Sequence, residues 1–144
     1  MKSSELLINK IIEFEGCKLT AYKCPAGVWT IGVGHTKGVK QGQTITKAQA
    51  MTLLKGDLLP CENYVNNLGV CKTQGQFDAL VDFAFNLGTA ALGRSTLLKY
   101  IRIGKAEQYI REQFARWVNA GGKVMPGLVK RRAWEADRYF GKEA

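Results

Sequence analysis

Residues 15–35 read EGCKLTAYKCPAGVWTIGVGH, and this stretch decides the architecture. Upstream of it, Leu6, Leu7, Ile8, Ile11, Ile12 and Phe14 give residues 3–15 a wide apolar helical face. Ser3 or Ser4 can cap that helix, and Glu5 suits its first turn. Gly16 supplies the stop. Glu15 therefore occupies the last helical turn, at the negative end of the dipole, an environment that opposes a further negative charge. Downstream, 18–22 and 28–32 read as short strands around Cys24-Pro25-Ala26-Gly27, a turn with proline and glycine in useful places. In the second strand Val28, Thr30 and Gly32 share one face while Trp29, Ile31 and Val33 share the other. Thr30 is thus expected to point into a cleft as its neighbours enter the core.

Further out, Gly34, Gly38 and Gly42 punctuate a small β lobe of about residues 16–46. Thr46-Lys47-Ala48-Gln49 is a capping box that predicts a helix to residue 59, kinked or ended by Pro60. A second box, Thr73-Gln74-Gly75-Gln76, opens the most apolar helix, with Phe77, Leu80, Val81, Ala84, Phe85 and Leu87 buried and Gly88 as its stop. Helices are predicted over 96–103, 105–117 and 126–140, with 120–122 as a loop. The fold class is α+β: one domain, 1–144, with a β lobe, a connecting helix and helical lobe over 47–144, and the helix 3–15 packed on that lobe. A cleft between two lobes would suit an extended substrate.

The 144 residues are 46% apolar and carry a formal net charge of +9. From Arg94 onward there are twelve Lys/Arg against five Asp/Glu, a net +7, so the basic excess lies in the helical part. Such a half suits an acidic polymer: nucleic acid, an anionic membrane or bacterial cell wall. No helix-turn-helix, finger or stacking motif supports nucleic acid. No window approaches the roughly 18 apolar residues of a membrane span. Glu5, Asn9, Lys10 and Glu13 interrupt the N-terminal apolar run, so a signal peptide is not expected and a cytoplasmic location is. Cysteines stand at 17, 24, 61 and 71; their spacing does not fit a zinc site, and no metal or other cofactor is expected. Cys61 and Cys71 could pair across a helix connection.

Glu15 is the candidate general acid, because glycoside cleavage needs a carboxylic acid still protonated near neutral pH. Cys24 and Thr30 lie across the hairpin from each other as a second polar group and a hydroxyl.

The pattern Glu15, eight residues, Cys24, five residues, Thr30, then Ile31-Gly32-Val33-Gly34-His35-Thr36 resembles the signature of phage-type lysozymes, glycoside hydrolase family 24. Phe85-Asn86-Leu87-Gly88, Arg116-Trp117 and Gly127-Leu128 with Arg131-Arg132 and Glu135 resemble its later segments. The resemblance implies a two-lobed lysozyme-like fold and muramidase activity on the bond between N-acetylmuramic acid and N-acetylglucosamine in peptidoglycan. Glu15 would protonate the leaving oxygen. Cys24, where many relatives carry Asp, and Thr30 would hold and activate water on the opposite face, giving inversion. Either Cys24 becomes a thiolate, assisted by a cation such as Lys23, or it only shapes the water site. By the same resemblance His35 buttresses the site by pairing with Asp57, and Thr36, Phe85, Ser95, Thr96 and Arg111 border the cleft. Arg131 and Arg132 either face Glu15 or coat the last helix. A monomer is expected, held in the host cytoplasm until another protein permeabilises the membrane. The rival expectation is a wall-binding module without catalysis.

Overall fold

The computed structural model describes residues 1–143. Its elements are α1 (Glu5–Glu15), β1 (Lys18–Lys23), β2 (Trp29–Gly32), α2 (Lys47–Leu68), α3 (Gln74–Leu87), α4 (Thr89–Gly93), α5 (Thr96–Ile103), α6 (Glu107–Ala115), β3 (Asn119–Ala120), β4 (Lys123–Val124) and α7 (Pro126–Tyr139). One helix and a small sheet followed by a run of helices is the expected α+β class. The chain divides inside α2 into two compact units, Glu5–Pro60 on one side and Met1–Ser4 with everything from Cys61 onward on the other.

In the unit Glu5–Pro60, α1 buries Leu7 and Ile11, one turn apart on its apolar stripe. β1 and β2 pair antiparallel, with Tyr22 opposite Thr30 and Lys23 opposite Trp29, and the register slips between Lys18 and Tyr22. The other edge of β1 is covered by the chain entering α2. There Ala21 N–H donates to the Gln43 carbonyl and Ile45 N–H to the Leu19 carbonyl, each at 2.9 Å. The first capping box forms as read: Gln49 N–H donates to Thr46 Oγ1 at 3.1 Å, and Thr46 N–H to Gln49 Oε1 at 2.8 Å.

Pro60 does not end this helix. α2 runs through Pro60 to Leu68. The bond that proline cannot make would have gone to the Gly56 carbonyl four residues back. Both residues are exposed, so water can take that carbonyl, and Gly56 has the backbone freedom to tilt it outward.

In the helical unit α3 packs along α7 and against α4, and α6 packs on α7. Close approach is built in by glycine: a Cβ on Gly75 would collide with the Arg138 carbonyl of α7, and one on Gly93 with the Tyr64 hydroxyl. The second capping box is altered. Thr73 accepts from Gln76 N–H at 3.1 Å, but Gln76 Oε1 reaches past Thr73 to the amide of Lys72 at 2.8 Å. Phe77 through Ala84 are all buried, including Asp78, Asp82 and Phe83, whereas Phe85 and Leu87, expected inside, are half-buried. A helix buried around its whole circumference has no polar face, so periodicity alone could not place its charges.

Asp78, fully buried, accepts from Ser4 N–H at 3.2 Å, Gln74 Nε2 at 2.9 Å and Arg138 Nη2 at 2.8 Å. It thereby ties the N-terminal strap to α3 and α7. Phe83 meets Phe114 and Trp117 edge-on at 6.1 and 5.3 Å between centroids. Gly121 and Gly122 of the expected loop form the tip of the β3–β4 hairpin, both at positive φ, 59° and 78°, while Ala120 already belongs to β3. None of the four cysteines is in a disulfide, so the suggested Cys61–Cys71 bridge is not formed. No helix among the described residues is long and apolar enough to cross a membrane.

Candidate active site

Glu15 is the last residue of α1, and Gly16 leaves the helix at φ 76° with its N–H on the Ile12 carbonyl at 2.8 Å. The half-buried Glu15 side chain turns onto the segment after β2. Gly34 is its seat: a Cβ built there would stand 3.3 Å from Glu15 Oε1. The seat exists because β2 doubles back on itself. Ile31 N–H donates to the His35 carbonyl at 2.8 Å and His35 N–H returns to the Ile31 carbonyl at 3.0 Å, closing Gly32-Val33-Gly34 into a tight turn. Gly32 and Gly34 take φ 63° and 71°, which side-chain-bearing residues rarely adopt. Val33 goes into the core and His35 is half-buried.

His35 is held from both sides, as expected for a buttress. Its Nδ1 lies 2.8 Å from Asp57 Oδ2 on α2, and its Nε2 lies 2.9 Å from the Lys37 carbonyl. These two contacts fix the ring between α2 and the segment after β2.

Cys24 begins the β1–β2 turn. Its N–H donates to the Val28 carbonyl at 2.9 Å, and its carbonyl accepts from Gly27 N–H at 2.8 Å. Pro25 presets the turn, and Gly27 at φ 78° completes it. This curl aims backbone amides at the sulfur. Hydrogen bonds from Val28 and then Ala26 hold the Cys24 thiol below the ordinary thiol range; partial desolvation opposes them, and the Thr30 hydroxyl adds to them. Lys23, the expected helper, instead lies over the Trp29 ring, 5.4 Å from its centroid. The thiolate is therefore favoured by the turn's own amides and not by a neighbouring cation. Cys71 behaves oppositely, pushed up to about 11 by burial.

Thr30 does not lie on an open face. It is 3% exposed, with Ile31 and Val33 buried beside it, so simple alternation fails along β2. The register slip in β1 and the sharp turn at Gly32 account for this. Its hydroxyl donates to the Val28 carbonyl at 3.0 Å, the same oxygen that takes Cys24 N–H at 2.9 Å, so Thr30 and Cys24 are tied to one acceptor within the hairpin.

The residues expected to border a substrate have mixed fates. Thr36 and Thr96 are exposed and Phe85 is half-buried. Ser95 is buried as the α5 cap, accepting from Leu98 N–H at 3.0 Å and donating to the Leu92 carbonyl at 2.7 Å. Arg111 bonds Glu107 and Asp137, each at 2.8 Å, tying α6 to α7. Arg131 and Arg132 do not coat the last helix: both are buried. Arg131 binds Asp82 with two nitrogens at 2.7 and 3.0 Å, and Arg132 binds Asn86 and Glu135 at 2.7 and 2.8 Å. Among the described residues no group of His, Cys, Asp and Glu is placed to hold a metal ion.

Residues 12–135 match the family model described as phage lysozyme. The chain belongs to the phage lysozyme family. Two family relatives are an endolysin of Acyrthosiphon pisum secondary endosymbiont phage 1 and one of Bacillus phage PZA. The first is 39% identical, with 94% of this chain and 95% of the relative covered. The second is 45% identical over 94% of this chain but only 54% of its own length, so the chain spans about half of that endolysin. Among solved structures, the muramidase domain of SpmX from Asticaccaulis excentricus superposes with a TM-score of 0.86 at 37% identity, covering 96% of this chain and 97% of that one. Two features of this family member were not legible beforehand: the Gly34 seat and the amides that cradle Cys24. Gly27 and Pro25 were the available signals for the second.

Proposed function

We propose that the chain is a muramidase of the endolysin kind, hydrolysing the bond between N-acetylmuramic acid and N-acetylglucosamine in bacterial peptidoglycan with inversion. The observation that carries the reading is the hairpin turn that gathers Cys24 and Thr30 on one acceptor, the Val28 carbonyl, which takes Cys24 N–H at 2.9 Å and the Thr30 hydroxyl at 3.0 Å. A thiol is a poor substitute for a carboxylate, but a thiolate stabilised by amide donors can accept a hydrogen bond from water and take its proton. Glu15 would protonate the leaving oxygen on the other face of the sugar. Thr30, donating to a carbonyl in the resting hairpin, would hold that water with its free lone pairs. Thr36, Phe85 and Thr96 would contact the saccharide. Ser95 and Arg111 would act as positioning residues, through the α5 cap and the α6–α7 tie. We take all of 1–144 as one catalytic domain, a monomer retained in the host cytoplasm until the membrane is breached. Lysis of the host is its proposed outcome.

The test is clearance of outer-membrane-stripped cells in reducing buffer. Cys24→Ser is expected to lower the rate roughly 10²-fold, the scale of a lost general base, while Cys24→Asp retains most of it. The wild-type rate should climb with pH through a value below the usual thiol range, and that limb should vanish in Cys24→Asp. Full activity in Cys24→Ser would assign the sulfur a shaping role only. Wall binding with no release of reducing sugar by the wild type would make the chain a binding module.

Gly34→Ala tests the seat. Alanine at φ 71° costs about 1 kcal/mol of stability, and Gly38→Ala, at φ 72° with nothing within 4 Å of its Cβ, should lose about the same. Only Gly34→Ala pushes a methyl onto the Glu15 carboxylate, so it alone should lose activity, by tenfold or more on the scale of a misplaced catalytic group. Urea midpoints and clearance rates of the two variants separate strain from displacement; equal rates would sink the seat.

A further inference from the structure

All seven arginines lie at or beyond residue 94. Five are bound to carboxylates: Arg111 to Glu107 and Asp137, Arg116 to Glu112, Arg131 to Asp82, Arg132 to Glu135, and Arg138 to Asp78 and Glu143. Among the described residues the two arginines with no carboxylate partner, Arg94 and Arg102, line the same cavity. That cavity, of about 370 Å³, lies at the junction of α4 and α5 and is also lined by Lys99, Ser95, Thr96, Gly93, Leu98 and Ile103. No acidic side chain lines it. Lys99 and Arg102 stand three residues apart on α5, a like-charge spacing that weakens a helix, and Arg94 adds a third cation from the end of α4. Everywhere else in this unit the fold supplies an acid to each guanidinium; here it leaves three cations around a hollow.

We propose that this cavity binds the phosphate groups of a phosphodiester-linked cell-wall polymer. Guanidinium forks match phosphate oxygens two at a time, and the Lys99 ammonium adds a point charge. The exposed Ile103 side chain and bare Gly93 offer the aliphatic surface that a polyol backbone needs. Nucleic acid fits less well, because no aromatic ring lines the cavity to stack a base. The site would hold the enzyme on the wall beside its peptidoglycan substrate, and it rests on the wall-directed reading above.

The test is titration calorimetry of the full chain with poly(glycerol phosphate) oligomers, paired with cosedimentation on cell walls before and after acid removal of their phosphodiester polymer. Arg94→Gln/Arg102→Gln changes two exposed residues, and Arg116→Gln/Lys130→Gln removes the same net charge elsewhere. Wild type is expected to bind the oligomer and the untreated walls. The Arg94/Arg102 variant should lose about tenfold or more in affinity, the scale of losing two charged hydrogen-bonding groups, with the other variant within about twofold of wild type. Clearance of polymer-stripped walls should be equal in all three. Equal loss in both variants would reduce the effect to diffuse charge and overturn the site. So would absent oligomer binding, or tighter Arg94/Arg102-dependent binding to duplex DNA, anionic vesicles or polymer-stripped walls. Binding is read without turnover: a chain that binds the oligomer yet releases no reducing sugar keeps this proposal and overturns the muramidase reading.

Discussion

Glu15→Gln is expected to abolish wall clearance, lowering the rate roughly 10²- to 10⁴-fold, because glutamine keeps the shape of the side chain but has no proton to give a leaving oxygen. The substitution is structurally mild. Glu15 is half-buried at the end of α1, and an amide can rest on the Gly34 turn as a carboxylate does. The denaturation midpoint should therefore hold while reducing-sugar release disappears. The same variant should still sediment with walls, since the lost group is needed for bond cleavage and not for adsorption. Retention of even a tenth of the wild-type rate would remove Glu15 from the acid role.

The second large effect concerns the buried charges between α3 and α7. Burial works to raise the Asp82 carboxyl, but hydrogen bonds from Glu135 and Arg131, with both arginine charges, outweigh it and hold Asp82 below the usual range. Glu135, fully buried, is pushed well up, first by desolvation and then by sharing a hydrogen bond with the Asp82 carboxylate. Asp82→Asn removes the carboxylate that the buried Arg131 guanidinium binds with two nitrogens and should cost about 3–5 kcal/mol. Glu135→Gln should cost far less. Its amide can donate to Asp82, and its carbonyl can accept from Arg132.

The pH dependence follows in sign. Asp82, lowered on folding, contributes stability above its unfolded value of 3.8, and that contribution is lost as pH falls. Glu135, raised on folding, contributes stability that is full below 4.5 and is lost as pH rises from there. Glu135→Gln should therefore flatten the decline on the higher-pH side and leave the acid limb intact. Urea titrations across that window, showing equal losses for Asp82→Asn and Glu135→Gln, would contradict this division of labour.

Much of the fold was legible where local chemistry decides. Both threonine capping boxes open their helices, Gly88 and Gly104 end α3 and α5, and α5 spans the residues read for it. What escaped was decided by surroundings or by brevity. Pro60 reads as a break until its exposure and the glycine four residues earlier are known. α4 and the β3–β4 hairpin are too short for any periodicity to register. Asp78, Asp82, Arg131, Arg132 and Glu135 look like solvated helix faces in one dimension, because mutual neutralisation is a tertiary property. At the site, the spacing of Glu15, Cys24 and Thr30 was visible, but the device that makes a thiol serviceable was not. It consists of main-chain amides, which leave no side-chain mark beyond Pro25 and Gly27.

The pairing of Lys23 with Trp29, beside Cys24, has a practical consequence. Trp29 is the only indole in the unit Glu5–Pro60, while Trp117, edge-on to Phe83, and Trp134 belong to the other. Each unit thus carries its own intrinsic fluorophore. With Trp117 and Trp134 replaced by phenylalanine, emission from Trp29 becomes a label-free optical reporter of the hairpin that cradles the thiol, readable in the same cuvette in which walls are being cleared.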